Sequence, residues 1–304
     1  MGWRSALKRS LHISNKTCRE ALAEFVGTFI LIVFGCGSVA QKVFGKDGFG
    51  DFFSVNWSWG LGVALGVFFS GGVSGGHINP AVSVTMAVLG RLKWSRLPFY
   101  IIAQYLGAFL GSACVYAVYL DALTEFDGGV RKVTGSKATA GIWCTFPQPE
   151  VTTITGFIDQ VFGTALLLSC ILAITDRRNM EVPKPAVPLL VGLLVLAIGA
   201  AFGYNCGYAI NPARDLAPRI FITISGWGAE AFSFREYNWF WVPIIGPHVG
   251  ALLGAFIYQI FVGLHWPEDY DLPEENNIMI EPSRGFENGG IEMDMSLPDP
   301  GERL

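Results

Sequence analysis

The chain has 304 residues, of which 51% are hydrophobic and only 15% charged, with a net charge of −4 and a mean hydropathy of +0.42. No Asp, Glu, Lys or Arg occurs from Phe52 to Gly90, from Leu97 to Leu120 or from Ala186 to Ala213, and from Tyr237 to Leu264 only His248 could carry charge. Runs of that length cross a hydrocarbon core about 30 Å thick, and they exclude a large soluble enzyme, whose buried helices would carry charged faces between the apolar ones.

Residues 1–20 hold Arg4, Lys8, Arg9, Lys16 and Arg19 and no cleavable leader pattern. The positive-inside rule predicts that this tail is cytoplasmic. With Trp3, Leu7 and Leu11 on one side, it reads either as a short amphipathic surface helix or as a disordered tail. The first span is predicted over 21–43, with one acid, Glu24. The second covers 54–72, where Gly60, Gly62 and Gly66 let helices approach closely. Next come Asn79-Pro80-Ala81 and about ten further apolar residues ending at Gly90. These are too few to span, so the segment is read as re-entrant. Arg91, Lys93 and Arg96 place this side in the cytoplasm.

The third span is predicted over 97–120. Residues 121–153 form a long polar connection placed outside, and loops of that length are often functional. A fourth span over 156–175 returns the chain to Asp176-Arg177-Arg178. A fifth, over 186–204, leads into Asn211-Pro212-Ala213 and a second short segment that reaches Gly226. Residues 227–238 lie outside, and the sixth span covers 239–264, with Trp239, Trp241 and Trp266 suited to interfacial belts. Residues 266–304 are rich in Pro, Glu and Asp and are expected to form a disordered cytoplasmic tail. The six cysteines are scattered without metal-ligand spacing and read as packing residues. Of two glycosylation triplets, Asn15-Lys16-Thr17 falls inside, and Asn56-Trp57-Ser58 is too close to the membrane for modification.

The two Asn-Pro-Ala triplets are one motif. A shift of 132 residues brings Gly60 onto Gly192, Gly71 onto Gly203, Gly75 onto Gly207 and Ile78-Asn79-Pro80-Ala81 onto Ile210-Asn211-Pro212-Ala213. Upstream, Glu24-x-x-Gly27-Thr28 resembles Gln160-x-x-Gly163-Thr164, and downstream Gly107-Ala108-x-x-Gly111 resembles Gly250-Ala251-x-x-Gly254. The chain is thus a duplication of three spans and one half-span. Three is odd, so the second half enters the membrane from the opposite side and the halves are inverted. The expected fold is an all-α membrane protein with six transmembrane helices and two re-entrant half-helices meeting near the midplane. Its expected parts are 1–20, a first repeat over 21–120, an outer loop over 121–153, a second repeat over 154–265 and the tail.

Irregular backbone at membrane depth must be buried in protein or line a wet cavity. In each motif Asn fits the N-cap and Pro the first helical position. The Asn oxygen then takes a backbone N–H and leaves its amide free to donate into a lumen. Two helix N-termini pointing there repel cations, while a neutral hydroxyl is oriented by donors and acceptors. Arg214 is the fixed cation expected in that lumen; its alternative is an internal ion pair with Asp215. Glu24, and Gln160 at the equivalent place, read as supports for the re-entrant loops, because a buried carboxylate needs partners. His77, beside the first motif, is a candidate pH sensor. His248 is a further polar group in an apolar span.

With the duplicated Asn-Pro-Ala and Arg214, the chain resembles the aquaporin family over about residues 20–265. Asp215, Arg219 and Pro243-Ile244 resemble its glycerol-permeable branch, the aquaglyceroporins. Gly207-Tyr208-Ala209-Ile210 and the long outer loop are most similar to the third vertebrate subtype. The resemblance implies a selectivity filter of Trp59, Gly199, Tyr208 and Arg214, in which Gly199 replaces the histidine of water-selective members and frees volume. It also implies a pore constriction at Asn79, Pro80, Ala81, Asn211, Pro212 and Ala213, and loop support from Glu24, Gln160 and Asp215. The implied function is a passive channel for glycerol, water and small neutral solutes such as urea in the plasma membrane. A homotetramer in the lipid bilayer is implied, with no cofactor, metal, enzymatic activity or nucleic-acid partner. The alternative is a secondary transporter of a small polyol, since transporters also use inverted repeats and broken helices. Gln160 departs from the family's more common Glu, which leaves a charge-symmetric role for Glu24 in question.

Overall fold

The computed structural model describes residues 2–45 and 48–267, and all regular structure among them is helical. The helices are α1 (Trp3–Leu11), α2 (Lys16–Phe44), α3 (Phe52–Ser74), α4 (Pro80–Val88), α5 (Leu97–Val118), α6 (Leu120–Asp127), α7 (Thr153–Thr175), α8 (Val187–Phe202), α9 (Pro212–Ile222), α10 (Glu230–Ser233) and α11 (Val242–Phe261). Six of them, α2, α3, α5, α7, α8 continued back through the 3-10 turn at Lys184–Ala186, and α11, are long and apolar enough to cross a membrane. The chain is a multi-pass membrane protein, and α4 and α9 are the two short segments that begin at the Asn-Pro-Ala triplets. Residues 268–304 of the tail expected to be disordered lie outside the described residues.

Local chemistry starts and stops these helices. Asn15 caps α2 by accepting from the Cys18 amide at 3.1 Å, which gives the first glycosylation triplet a structural job. Asp51 and Ser54 form a reciprocal capping box at the start of α3. That helix ends at Gly75, whose left-handed φ of +95° turns the chain toward the first motif.

Small and polar residues are set among the buried positions of the spans. The buried side of α7 carries Gly156, Gln160, Gly163 and Thr164, while Ile158 and Phe162 of the same helix face outward. Lipid is as apolar as a leucine side chain, so close backbone approach through small residues holds such helices together. The contacts follow the repeat. A Cβ on Gly60 would lie 2.7 Å from the Gly192 carbonyl oxygen, and one on Gly192 would lie 2.5 Å from that of Gly60. These equivalent glycines touch each other, so α3 crosses α8 at the relation between the halves. Gly107 of α5 abuts the Phe25 carbonyl of α2, and its counterpart Gly250 of α11 abuts the Val161 carbonyl of α7.

Two expectations need correction. Trp239 is fully buried and donates its indole N–H to the Thr145 carbonyl at 2.8 Å, so it is an internal peg and not an interfacial residue. The space it fills is left open by Gly156. The connection over 121–153 is likewise more than a polar loop. It contains α6 and a short 3-10 turn at Ala140–Ile142, and Leu123, Ala140, Ile142, Trp143 and Cys144 are all fully buried. Its middle folds back into the bundle.

Candidate functional site

The two half-helices begin in mirrored fashion. Asn79 and Asn211 are extended, and their side-chain oxygens accept from the amides of Ala81 at 2.9 Å and Ala213 at 3.0 Å. Pro80 and Pro212 occupy the first helical turn, where a missing N–H costs nothing. The side-chain amides were expected to be free. Instead, Asn79 Nδ2 donates to the Ile210 carbonyl at 2.9 Å, and Asn211 Nδ2 donates to the Ile78 carbonyl at 2.8 Å. Each amide has two N–H groups, so one is committed across to the other half and one is left.

Ile78 and Ile210 adopt φ values of +44° and +40°. A left-handed β-branched residue costs about 1–3 kcal/mol and persists only where its surroundings enforce it. Both are gripped from two sides. Their carbonyls are held by the opposite asparagines, while the Ile78 amide donates to Glu24 Oε2 at 2.6 Å and the Ile210 amide to Gln160 Oε1 at 2.9 Å.

Glu24 is fully buried and collects four donors. Oε1 accepts from Ser74 Oγ at 2.5 Å and the His77 amide at 2.9 Å. Oε2 accepts from the Ile78 amide and, at 2.8 Å, from Gln104 Nε2. Such bonding makes burial of a carboxylate tolerable. His77 places Nδ1 3.1 Å from Ser83 Oγ, and Ser83 also accepts from Gln104 Nε2. A chain of side chains therefore links His77 to Glu24. His248 places Nδ1 2.8 Å from the Ile244 carbonyl of its own helix.

In the second half, Gln160 donates to Cys206 Sγ at 3.1 Å. The carboxylate lacking at Gln160 is supplied one residue earlier. Asp159 accepts from Asn205 Nδ2 at 3.0 Å and from Cys206 Sγ at 3.0 Å. Sequence reasoning passed over Asp159, although it is the one acid in α7, and an acid within a span is itself a signal.

Arg214 is buried and does not pair with Asp215. Its Nη1 donates to the Trp143 carbonyl at 3.0 Å, and its guanidinium carbon lies 4.1 Å from the Trp59 ring centroid. Asp215 instead pairs with fully buried Arg219 at 2.8 Å and accepts from the Thr145 amide and hydroxyl at 2.7 and 2.5 Å. Arg219 then donates to the carbonyls of Ala231 and Thr145, both at 2.7 Å. This cluster fixes the connection over 121–153 against α9 and so aims the Trp143 carbonyl at Arg214. Residues 143–145 gave no local sign of that role.

One cavity of about 250 Å³ joins these groups. Its lining includes Trp59, Tyr208 and Arg214, the motif residues Asn79, Asn211, Ile78 and Ile210, and His77, Arg91 and Thr175. Val63, Val67, Leu167, Ile171, Val191 and Val195 add apolar lining. The space over Gly199 is not empty: a Cβ there would collide with the Tyr208 ring and the Asn56 side-chain oxygen. The volume that glycine leaves is taken up by Tyr208 and Asn56. Among the described residues no cluster of His, Cys, Asp or Glu is suited to hold a metal.

A bundle of six spans, two facing half-helices and a cavity with polar and apolar edges has known counterparts. The profile of the Major intrinsic protein family matches residues 12–258, and the chain belongs to that family. It is 51% identical over 273 residues to Aquaporin-10 of Milnesium tardigradum, covering 86% of this chain and 67% of that one. It is 45% identical over 263 residues to Aquaporin-9 of Homo sapiens, covering 86% and 89% of the two chains. Among solved structures it resembles the aquaglyceroporin from Plasmodium falciparum with a TM-score of 0.74 and 32% identity, over 82% of this chain and 98% of that one.

Proposed function

We propose that the chain is a passive channel for glycerol, water and small neutral solutes such as urea, and that it excludes ions and protons. The observation that carries this is the mixed lining of the cavity, apolar at Val67, Leu167 and Val191 and polar at Asn79, Asn211 and Arg214. A polyol has the same division, with a carbon backbone on one edge and hydroxyls on the other. Its carbons slide past Val67, Leu167 and Val191, while its hydroxyls pass from Arg214 to the spare amide N–H groups of Asn211 and Asn79. No step needs a charge to move, so nothing couples the flow to an ion gradient.

Exclusion has two sources. The N-termini of α4 and α9 point their positive ends at the asparagines, and Arg214 adds a full charge at Trp59 and Tyr208. A cation meets that potential without compensating carbonyls in sufficient number. A proton relayed along water is interrupted where each asparagine donates and so fixes the water's orientation. In this reading Trp59, Gly199, Tyr208 and Arg214 form the selectivity filter, and Glu24, Gln160 and Asp215 support the loops that present it. His77, connected through Ser83 and Gln104 to Glu24, is the site where acidification would alter flow.

The same reading places the protein in the plasma membrane as a homotetramer with both termini in the cytoplasm, and gives it no enzymatic role. Residues 21–120 and 154–265 are the two repeats, 121–153 is extracellular, and 1–20 and 266–304 are cytoplasmic. Stopped-flow light scattering on proteoliposomes tests it. Both osmotic water flow and glycerol-driven reswelling are expected, unchanged by Na⁺ or proton gradients. Gradient-dependent, saturating uptake would establish the transporter reading, and water flow without glycerol flow would remove the polyol.

A further inference from the structure

Two buried polar atoms beside the filter have no hydrogen-bond partner: Asn56 Oδ1 and the Tyr208 hydroxyl. Asn56 is 1% exposed and Tyr208 6%. An unsatisfied polar atom at that depth costs about 1–3 kcal/mol, so two together in a well-packed site call for a reason. Both border the same small space, because the point where a Cβ on Gly199 would sit is flanked by Asn56 Oδ1 and by Tyr208 Cζ, the carbon that carries the hydroxyl. One atom can only accept and the other can donate. Asn56 also stands three residues before Trp59, and so one turn along the same face of α3.

We infer that Asn56 is a positioning residue of the filter: one water bridges its Oδ1 to the Tyr208 hydroxyl across Gly199 and holds the tyrosine ring flat against the lumen. The bond draws the only polar atom of that ring away from the pore. The ring then presents carbon to the permeant, as Trp59 does, and Arg214 is left as the donor at this level. Without the bond, whether the acceptor or the hydroxyl is lost, the ring is no longer held against the wall and swings into the lumen. A polyol, which fills the lumen, is slowed more than water. Gly199 is required for the same arrangement, since any side chain there would part the two groups.

The inference rests on the polyol-channel reading, and the experiment separates the two. Water and glycerol permeabilities are measured on proteoliposomes containing equal amounts of the full chain, as wild type, Asn56→Leu, Tyr208→Phe and the double variant. If the wild type passes no glycerol, the channel reading fails and the test stops there. Otherwise each single variant is expected to lower the glycerol-to-water permeability ratio about threefold, the scale of one neutral hydrogen bond. The double variant should show no further loss, because both changes break the same contact. A merely structural Asn56 would lower both permeabilities together and leave the ratio unchanged. That outcome, or losses that multiply in the double variant, overturns the inference. Should Asn56→Leu fail to assemble, Tyr208→Phe decides alone: a ratio equal to wild type overturns it.

Discussion

Single side chains fix irregular backbone here, and the cost of losing one can be assigned. Glu24 satisfies two consecutive amides of a strained loop, and glutamine in its place would turn an N–H₂ group toward N–H donors. Glu24→Gln is expected to destabilise the protein by about 2–3 kcal/mol, the scale of hydrogen bonds to a charged group. A lower melting temperature in detergent, with reduced channel flux, checks it. Gly199→Ala should cut glycerol permeability at least about tenfold, because even one methyl group collides with Tyr208 and Asn56; reswelling assays read this directly. At the end of α7, three hydrogen bonds from Arg178 hold the Asp176 carboxyl down to about 2. The carboxylate is favoured in the folded state, so its contribution is complete above the ordinary value of about 3.9 and is lost as pH falls toward 2. Melting of the wild type should therefore decline between about pH 4 and pH 2, and Asp176→Asn should melt lower at neutral pH with a flatter decline.

At the scale of elements, the spans and the duplication could be read directly, because charge-free runs and a constant offset are local and repeated signals. The short segments after Asn79 and Asn211 were equally plain, being apolar but too short to cross. Other elements were not legible, each for a physical reason. Trp239 has a ring suited to an interface or to a core, and only the gap at Gly156 decides between them. Asn56 stands in a glycosylation triplet, and its burial against Gly199 depends on how α3 crosses α8. The segment from Ala140 to Thr145 has no periodicity, and its meaning lies in partners some 70 positions away in sequence, Arg214 and Asp215. That segment should behave as one unit with Arg214 and Asp215. Thr145→Val removes the hydroxyl from Asp215 and leaves the backbone bond. It is expected to cost about 1–3 kcal/mol and to raise hydrogen exchange in residues 140–145, measured by mass spectrometry, before it affects the spans.

For the whole molecule, the notable feature is that neither half is complete. Asn79 holds the Ile210 carbonyl and Asn211 holds that of Ile78, so each motif is finished only by the other. A chain made of one repeat could satisfy those bonds only by pairing with a second copy inserted upside down. It would have to enter the bilayer in both orientations in equal amounts, and every residue along its pore would appear twice. Joining two copies through an odd number of spans lifts that constraint, since each end of the lumen can then change alone. The position of Arg214 corresponds in the first repeat to Val82, and that of Asp215 to Ser83, the hydroxyl beside His77. A cation with its clamp in one half and a histidine with its relay in the other is an asymmetry that a pair of identical halves cannot hold.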